Sequence, residues 1–428
     1  MYPPVIESIK DKSILLIGFG REGRSSLEYI RKYLPEKEIT ISDRNEIKTD
    51  DRFVKKITGE KYLEKINDFD IVFKSPGVSV KDIDIFDRKK ITCQTDLFLK
   101  FAPCKKVGIT GSKGKTTTST LIYSMLKEAG IDARLIGNIG VPVFECLEDV
   151  REDTVAVIEM SSHQLEFCSS SPSVAVFTNI FEEHLDHYTG GFSGYVNAKT
   201  NIARFQTEND TFIYNASSDI PKYVNLDEIK SRKIAVQPEK EEVTVENEHL
   251  LGEHNKADIL LSSAAAKCFG VTEDRIEKAV KNFGGIEHRM EKVGTFKGIT
   301  FYNDCIATIP YAVISAVRAL KNVGTLIIGG KDRGLDYSEF TAEIMNENIE
   351  NIICMRDTGY KIGEELKKRG SNSNIFFAED MDDAVRTAYE KTRKGKICLL
   401  SPAASSYNVY KNFEEKGKHY KQLVEKYS

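Results

Sequence analysis

The sequence predicts an α/β protein of three domains, and three observations carry that expectation. The chain is 428 residues long, more than one core ordinarily holds when about 150 residues make a domain. Short apolar runs alternate with stretches of helical period, the pattern of βαβ units and parallel sheets. That alternation starts afresh twice, near Phe101 and after the paired glycines Gly284 and Gly285.

In chain order, "SILLIGF", "EITISD", "FDIVFKSPG" and "KITCQ" read as short strands, with the helix "REGRSSLEYIRKYL" after the first. The second segment opens on the strand "KVGIT". Its helix "KTTTSTLIYSMLKEAG" ends at Gly130, and "TVAVIEM" and "SVAVFTN" follow as buried strands. A charged, irregular tract, "QPEKEEVTVENEHLLGEHN", precedes two helices, "NKADILLSSAAAKCFG" and "EDRIEKAVKNF". "FGGIEHRMEKVG" reads as a hinge, since paired glycines interrupt regular structure. The alternation then resumes through "GITFYND", "PYAVISAVRAL", "GTLIIGG", "NIENIICM", "NIFFAED", "MDDAVRTAYEKT" and "KICLLSP" as a doubly wound sheet. The expected spans are 1–101, 102–286 and 287–428.

Charge and cysteine usage narrow the function. Sixty-one Lys+Arg against 65 Asp+Glu give a net charge of −4, so there is no basic excess to hold a nucleic-acid backbone. The apolar run near the N-terminus is shorter than a signal-peptide core or a membrane span. A cytoplasmic protein acting on small molecules, with no nucleic-acid or membrane partner, is expected, and as a monomer. Eight scattered cysteines form no C-x-x-C pair and read as reduced core residues.

Two glycine turns carry the chemistry. "GFGREG" places Gly18, Gly20 and Gly23 between a strand and a helix, with Asp43 ending the next strand. Glycines there let the backbone approach a diphosphate at a helix N-terminus. The turn suits nicotinamide dinucleotide, another diphosphate, or a tight βα connection with no ligand. "VGITGSKGKTTTST" is the second turn. Gly114-Lys115-Thr116 match the end of a phosphate loop, but Ile109 stands where the leading glycine belongs, and Gly108 and Gly111 flank it. The loop still joins strand to helix, so amide N–H groups and the helix dipole converge on an anion. Lys115 would meet terminal phosphates, and Thr116 or Thr117 would offer a hydroxyl to Mg²⁺.

"TGSKGKTTT" resembles the ATP site of the Mur ligase family. The resemblance continues in chain order through "GNIGVP", "IEMSSHQLE", "FTNIFEEHLDHY", "YVNAKTNI", "GEHN", "EHRME", "YNDCIAT", "GGKDRG" and "LLSPAASSYNVYKNFEEKGKHY". It implies a Rossmann-like N-terminal domain for a UDP-linked substrate, a central P-loop ATPase domain, and a Rossmann-like C-terminal domain for the amino acid. "SSHQLE" and the serine-rich ending look most like the member that joins D-glutamate to UDP-N-acetylmuramoyl-L-alanine by way of an acyl phosphate. Such chemistry takes ATP and Mg²⁺, with two ions expected, to activate a carboxylate and shield crowded anions.

The resemblance also assigns residues. Gly111, Ser112, Gly114, Lys115, Thr116 and Thr117 would hold ATP, helped by Asn255, Arg289 and Asp304. Glu159, which ends an apolar strand where a carboxylate needs a cation, would bind metal with Thr116 and His184. Lys199 reads by itself as a surface lysine; the resemblance makes it the lysine carbamoylated by CO₂, a fourth metal ligand. Gly18, Gly20 and Asn138 would face the UDP substrate, and Thr308, Ser406 and Phe413 the amino acid. "NDCIAT" departs from the family's Ser-Lys-Ala-Thr-Asn run. Ile306 cannot replace a cation, so Lys331 and Arg333 are expected to supply that charge, and L-glutamate is an alternative substrate. A UDP-sugar-binding paralogue without activity is a second alternative, which Lys115, Glu159, His184 and Lys199 argue against.

Overall fold

The computed structural model describes residues 2–84, 87–138, 141–245, 247, 249–250, 253–308, 310–332, 336–404, 409–410 and 413–428. Ser406 and Arg333 lie outside them. Three separate sheets form. The first comprises β1 (Ile14–Ile17), β2 (Ile39–Asp43), β3 (Val54–Thr58), β4 (Ile71–Lys74) and β5 (Ile91–Thr92), all parallel, in the order β3-β2-β1-β4-β5. β1 is "ILLI", buried at every position, as a strand covered on both faces must be. The order reverses direction between β1 and β4, beside the glycine turn.

The second sheet comprises β6 (Lys105–Thr110), β7 (Ala133–Gly137), β8 (Val155–Glu159), β9 (Val174–Phe177), β10 (Thr211–Asn215) and β11 (Arg232–Val236). Its order is β11-β10-β9-β6-β8-β7, again parallel. β6 lies between β8 and β9, and the carboxyl ends of these three strands open together at the point where the connections diverge, the usual ligand crevice of an open α/β sheet. The helix Lys115–Glu128 follows β6. Leu121, Ile122, Met125 and Leu126 on it are fully buried, each contributing about 1.5–3 kcal/mol of transfer free energy.

The third sheet runs β12-β13-β17-β14-β15-β16, with β12 (Glu291–Phe296), β13 (Ile299–Asn303), β14 (Val323–Gly330), β15 (Asn351–Asp357), β16 (Asn374–Ala378) and β17 (Ile397–Leu400). It is parallel from β13 onward. β12 corrects the reading of "EHRMEKVG" as hinge alone, because it pairs antiparallel with β13. Lys297 and Gly298 make the two-residue loop, both at positive φ (51° and 83°), the twist that joins antiparallel strands tightly. A hairpin with a lysine and a single glycine at its loop left little trace in the pattern.

The chain separates into two compact units, Met1–Phe283 and Gly284–Ser428, so the first two sheets share one unit. All eight cysteines are free, and Cys93, Cys104, Cys168, Cys305, Cys354 and Cys398 are buried. No helix among the described residues is long and apolar enough to cross a membrane.

Candidate functional site

The glycines of the 111–114 turn are required by its geometry. Gly111 has φ 155° and Gly114 φ 82°; a Cβ on Gly111 would collide with Thr178 Oγ1, and one on Gly114 would come 2.5 Å from Asp258 Oδ1. The freed space lets the chain turn directly into the helix Lys115–Glu128, whose first turn carries no acidic residue. Ser112 Oγ is fixed by the Tyr195 hydroxyl at 2.9 Å and by the Phe181 backbone at 3.1 Å. Burial raises the Tyr195 phenol well above its ordinary pKa.

Two ammonium groups meet on one oxygen of this loop. Lys115 Nζ donates to Gly111 O at 2.9 Å and to Ser112 O at 3.0 Å, while Lys199 Nζ donates to Gly111 O at 2.7 Å. Lys199 is 1% exposed, which overturns the bare reading of a surface lysine. Burial, with the Lys115 charge beside it, holds its pKa well below the ordinary lysine value. Like charges gathered at a helix N-terminus are an arrangement that an anion relieves.

Glu159 closes the other side. Its carboxylate, 2% exposed at the end of β8, accepts from Thr116 Oγ1 at 2.8 Å and from Asn138 Nδ2 at 2.7 Å. Asn138 is thereby brought to the metal candidates. Both donors are neutral, so a buried carboxylate stands without a bonded cation among them, the condition in which a bound cation is favoured. Thr117 is buried on the helix and Asn255 is half-buried on the helix Glu253–Lys267.

His184 lies near these groups without a hydrogen bond to Glu159 among the described residues. Burial lowers its pKa, and the Lys199 and Lys115 charges lower it further against Glu183. Its ring is 4.9 Å from His163, whose own pKa burial presses down to about 3, leaving it neutral. No group of three His, Cys, Asp or Glu side chains among the described residues is placed to hold a metal.

At the N-terminal turn, Gly18 (φ 84°) has no room for a Cβ, which would fall 2.8 Å from Ser75 Cβ, whereas Gly20 caps the helix Arg21–Tyr33 in open space. Asp43, at the end of β2, accepts from Phe19 N at 2.7 Å and Asn45 N at 2.8 Å. The acid supports the turn itself.

In the second unit, Asp304 is buried, accepts from Ser401 Oγ at 2.8 Å and Met290 N at 3.2 Å, and is pushed up to about 6 by burial, with Arg289 opposing. Thr308 is half-buried in the same loop, and Lys331 is exposed. Phe413 sets its ring 6.0 Å from that of His288. Lys416 was missed by sequence reasoning. It is 2% exposed, donates to Gly329 O at 2.8 Å, and burial lowers its pKa to about 8; a lysine at helical spacing reads as solvated, and only packing shows otherwise.

A lysine-bearing glycine turn at the end of a central parallel strand, beside a buried strand-end carboxylate, defines an α/β protein of the phosphate-loop kind. Residues 109–268 match the Mur ligase middle domain and residues 288–404 the Mur ligase glutamate ligase domain. The chain is 32% identical to UDP-N-acetylmuramoylalanine–D-glutamate ligase of Acetivibrio thermocellus, covering 98% of this chain and 97% of that protein. It is 31% identical to the enzyme of the same name from Clostridium botulinum, over 97% of each. The chain belongs to the Mur ligase family. Among solved structures, UDP-N-acetylmuramate-alanine ligase of Thermotoga maritima superposes with a TM-score of 0.60 at 16% identity, over 97% of this chain and all of the other. The MurF ligase of the same organism, solved in complex with ADP, gives 0.58 at 16% identity, over 98% and 97% of the two chains. These two likenesses bear on fold alone.

Proposed function

We propose that the protein is an ATP-dependent amide ligase that joins D-glutamate to UDP-N-acetylmuramoyl-L-alanine, a cytoplasmic step of peptidoglycan precursor synthesis, and that it acts as a monomer. The observation that carries this reading is the likeness, end to end at 31–32% identity, to ligases of that name. The site supplies the chemistry. Lys115 and the amides of the 111–114 turn address the terminal phosphates of ATP, and the alanine carboxylate takes up the γ-phosphoryl group as its bond to ADP breaks and ADP leaves. The glutamate amine then forms the C–N bond as phosphate leaves. Asn255, Arg289 and Asp304 are read as further nucleotide contacts, Gly18, Gly20 and Asn138 as contacts to the UDP substrate, and Thr308, Ser406 and Phe413 as contacts to glutamate.

Mg²⁺, when bound, neutralises crowded phosphate oxygens. Thr116, Glu159 and His184 are the residues to hold it, and the neutral donors on Glu159 favour that role. Lys199 completes the set as a carbamate. Its burial favours the free amine: the ammonium first gives one proton to solvent, and the amine then attacks CO₂ to form an N–C bond and releases a second, so a cation becomes an anion. The 3-2-1-4-5 strand order of the first sheet supports a Rossmann-like domain for the UDP part. The functional segments are 1–101, 102–286 and 287–428, the last two Rossmann-like and P-loop in the reverse of that order.

L-glutamate is the second reading, because apolar Ile306 stands where the family carries a lysine. ADP release with UDP-N-acetylmuramoyl-L-alanine and each enantiomer separates the two. Turnover with D-glutamate is expected; turnover with L-glutamate alone overturns the stereochemistry, and none with either sinks the ligase reading in favour of an inactive paralogue.

A further inference from the structure

The loop that carries His184 is fastened to the first sheet at three points. Glu166 stands at the centre of the first. Its Oε2 lies 3.3 Å from Lys74 Nζ, at the end of β4, and 3.5 Å from His187 Nε2. All three atoms are buried, and their contacts are longer or less well aligned than good hydrogen bonds. Lys74 is 4% exposed. At the second point Ser79 Oγ donates to His187 O at 2.8 Å, and at the third Thr189 Oγ1 donates to Lys81 O at 3.2 Å. The short segment 74–81 thus spans the edge of the first sheet and grips residues 187–189.

His187 is tied to His184 within one turn: His187 N donates to His184 O at 3.1 Å, and His184 holds a positive φ of 53°. That φ is uncommon for a residue with a Cβ and persists only where the surroundings impose it. The same two rings flank His163, at centroid distances of 4.9 and 4.1 Å. Glu166 belongs to the stretch just after the helix Ser162–Leu165, whose capping box fixes it to Ser161. From there Gln164 Nε2 reaches Glu22 of the N-terminal glycine turn at 2.8 Å. A chain of contacts therefore runs from that turn and the end of β4 to the backbone of His184.

We infer that Glu166 is a positioning residue: through Lys74 and His187 it sets the 184–189 loop, and with it His184, for the divalent cation. The inference rests on the ligase reading for the role of His184. A bare packing role would lower stability without changing metal affinity.

The test uses the full-length protein with Mn²⁺ as probe, followed by electron paramagnetic resonance in the presence of ADP. Glu166→Gln is expected to weaken Mn²⁺ binding about ten-fold or more, the scale at which groups that orient metal ligands are felt, with metal-free ADP binding unchanged. The single change leaves Lys74 buried without its counter-charge and can unfold the chain. The charge-balanced pair Lys74→Met with Glu166→Gln decides that case: it is expected to melt as wild type does and still lose Mn²⁺ affinity. Wild-type Mn²⁺ affinity in the pair overturns the inference. Because the readout is binding, a wild-type chain that releases no ADP defeats the ligase reading and leaves this result to stand by itself.

Discussion

The two glycine turns of the first unit share a backbone plan and differ in charge. Each joins the end of a central parallel strand to a helix, and each uses glycine where a Cβ would collide. At the N-terminal turn the acids Asp43 and Glu22 come to the helix start, and Asp43 ties down two backbone amides. At the 111–114 turn the helix's own first turn holds no acid; Glu159 and Asp258 come to it from other elements, and Lys115 and Lys199 gather on one carbonyl. Under the proposed function the second turn, with its two lysines, takes the terminal phosphates of ATP, and the first takes the ester diphosphate of the UDP substrate.

The largest effect expected falls on the lysines. Lys115→Ala and Lys199→Ala should each lower the ADP-release rate by about 10²–10³-fold or more, as removal of one preorganised charged donor does. Lys199→Ala also empties a fully buried volume, so Lys199→Met, which keeps that volume, separates lost activity from lost packing. Partial rescue of Lys199→Ala by acetate would sharpen the carbamate reading, and full activity without supplement would break it.

Glycine substitutions come next. Gly111→Ala places a methyl against Thr178 at φ 155° and should cost about 3 kcal/mol or more in urea unfolding, with strain and overlap acting together. Gly20→Ala, with nothing within 4 Å of its Cβ, should stay within about 0.5 kcal/mol. Equal costs at the two sites would erase the contrast between a turn built for close approach and a position merely open.

A buried acid of the second unit extends the comparison to acids that hold a turn. Asp304, pushed up from 3.8 to about 6 by burial, keeps a proton in the folded state that the unfolded chain releases. Its contribution is therefore present below about pH 4 and is lost as pH rises to about 6, a change of about 3 kcal/mol at most by the pKa–energy relation. Stability of wild type against pH 4–7, measured beside Asp304→Asn, should show that slope only in the wild type.

Much of this was legible in the sequence because local patterning suffices for it. Apolar runs such as "ILLI" and "TVAVIE" are buried strands, and glycine spacing marks both turns. What stayed hidden depends on distant partners. Lys199 looked like a solvated lysine because its helix gives no sign that Thr110 and Gly111, nearly ninety positions back, cover it. Lys74, Glu166 and His187 lie on three separate elements, so no spacing rule joins them. Asp43 fits a dinucleotide fingerprint in position, yet the backbone of its own turn claims the carboxylate. β12 was lost for a different reason: "EKVGTF" is an edge strand with no buried position and a register shift at Gly294, so it shows neither an apolar run nor a clean alternation.

The buried cysteines give the chain a set of internal clocks. Burial pushes the thiols of Cys305, Cys354 and Cys398 up to about 12, so at neutral pH they carry almost no reactive thiolate while folded. A thiol reagent can mark them only when the surrounding strands open. With no tryptophan in the chain, the order in which Cys305, Cys354 and Cys398 are labelled against Cys93, Cys104 and Cys168 times the opening of each unit separately, without any probe being introduced.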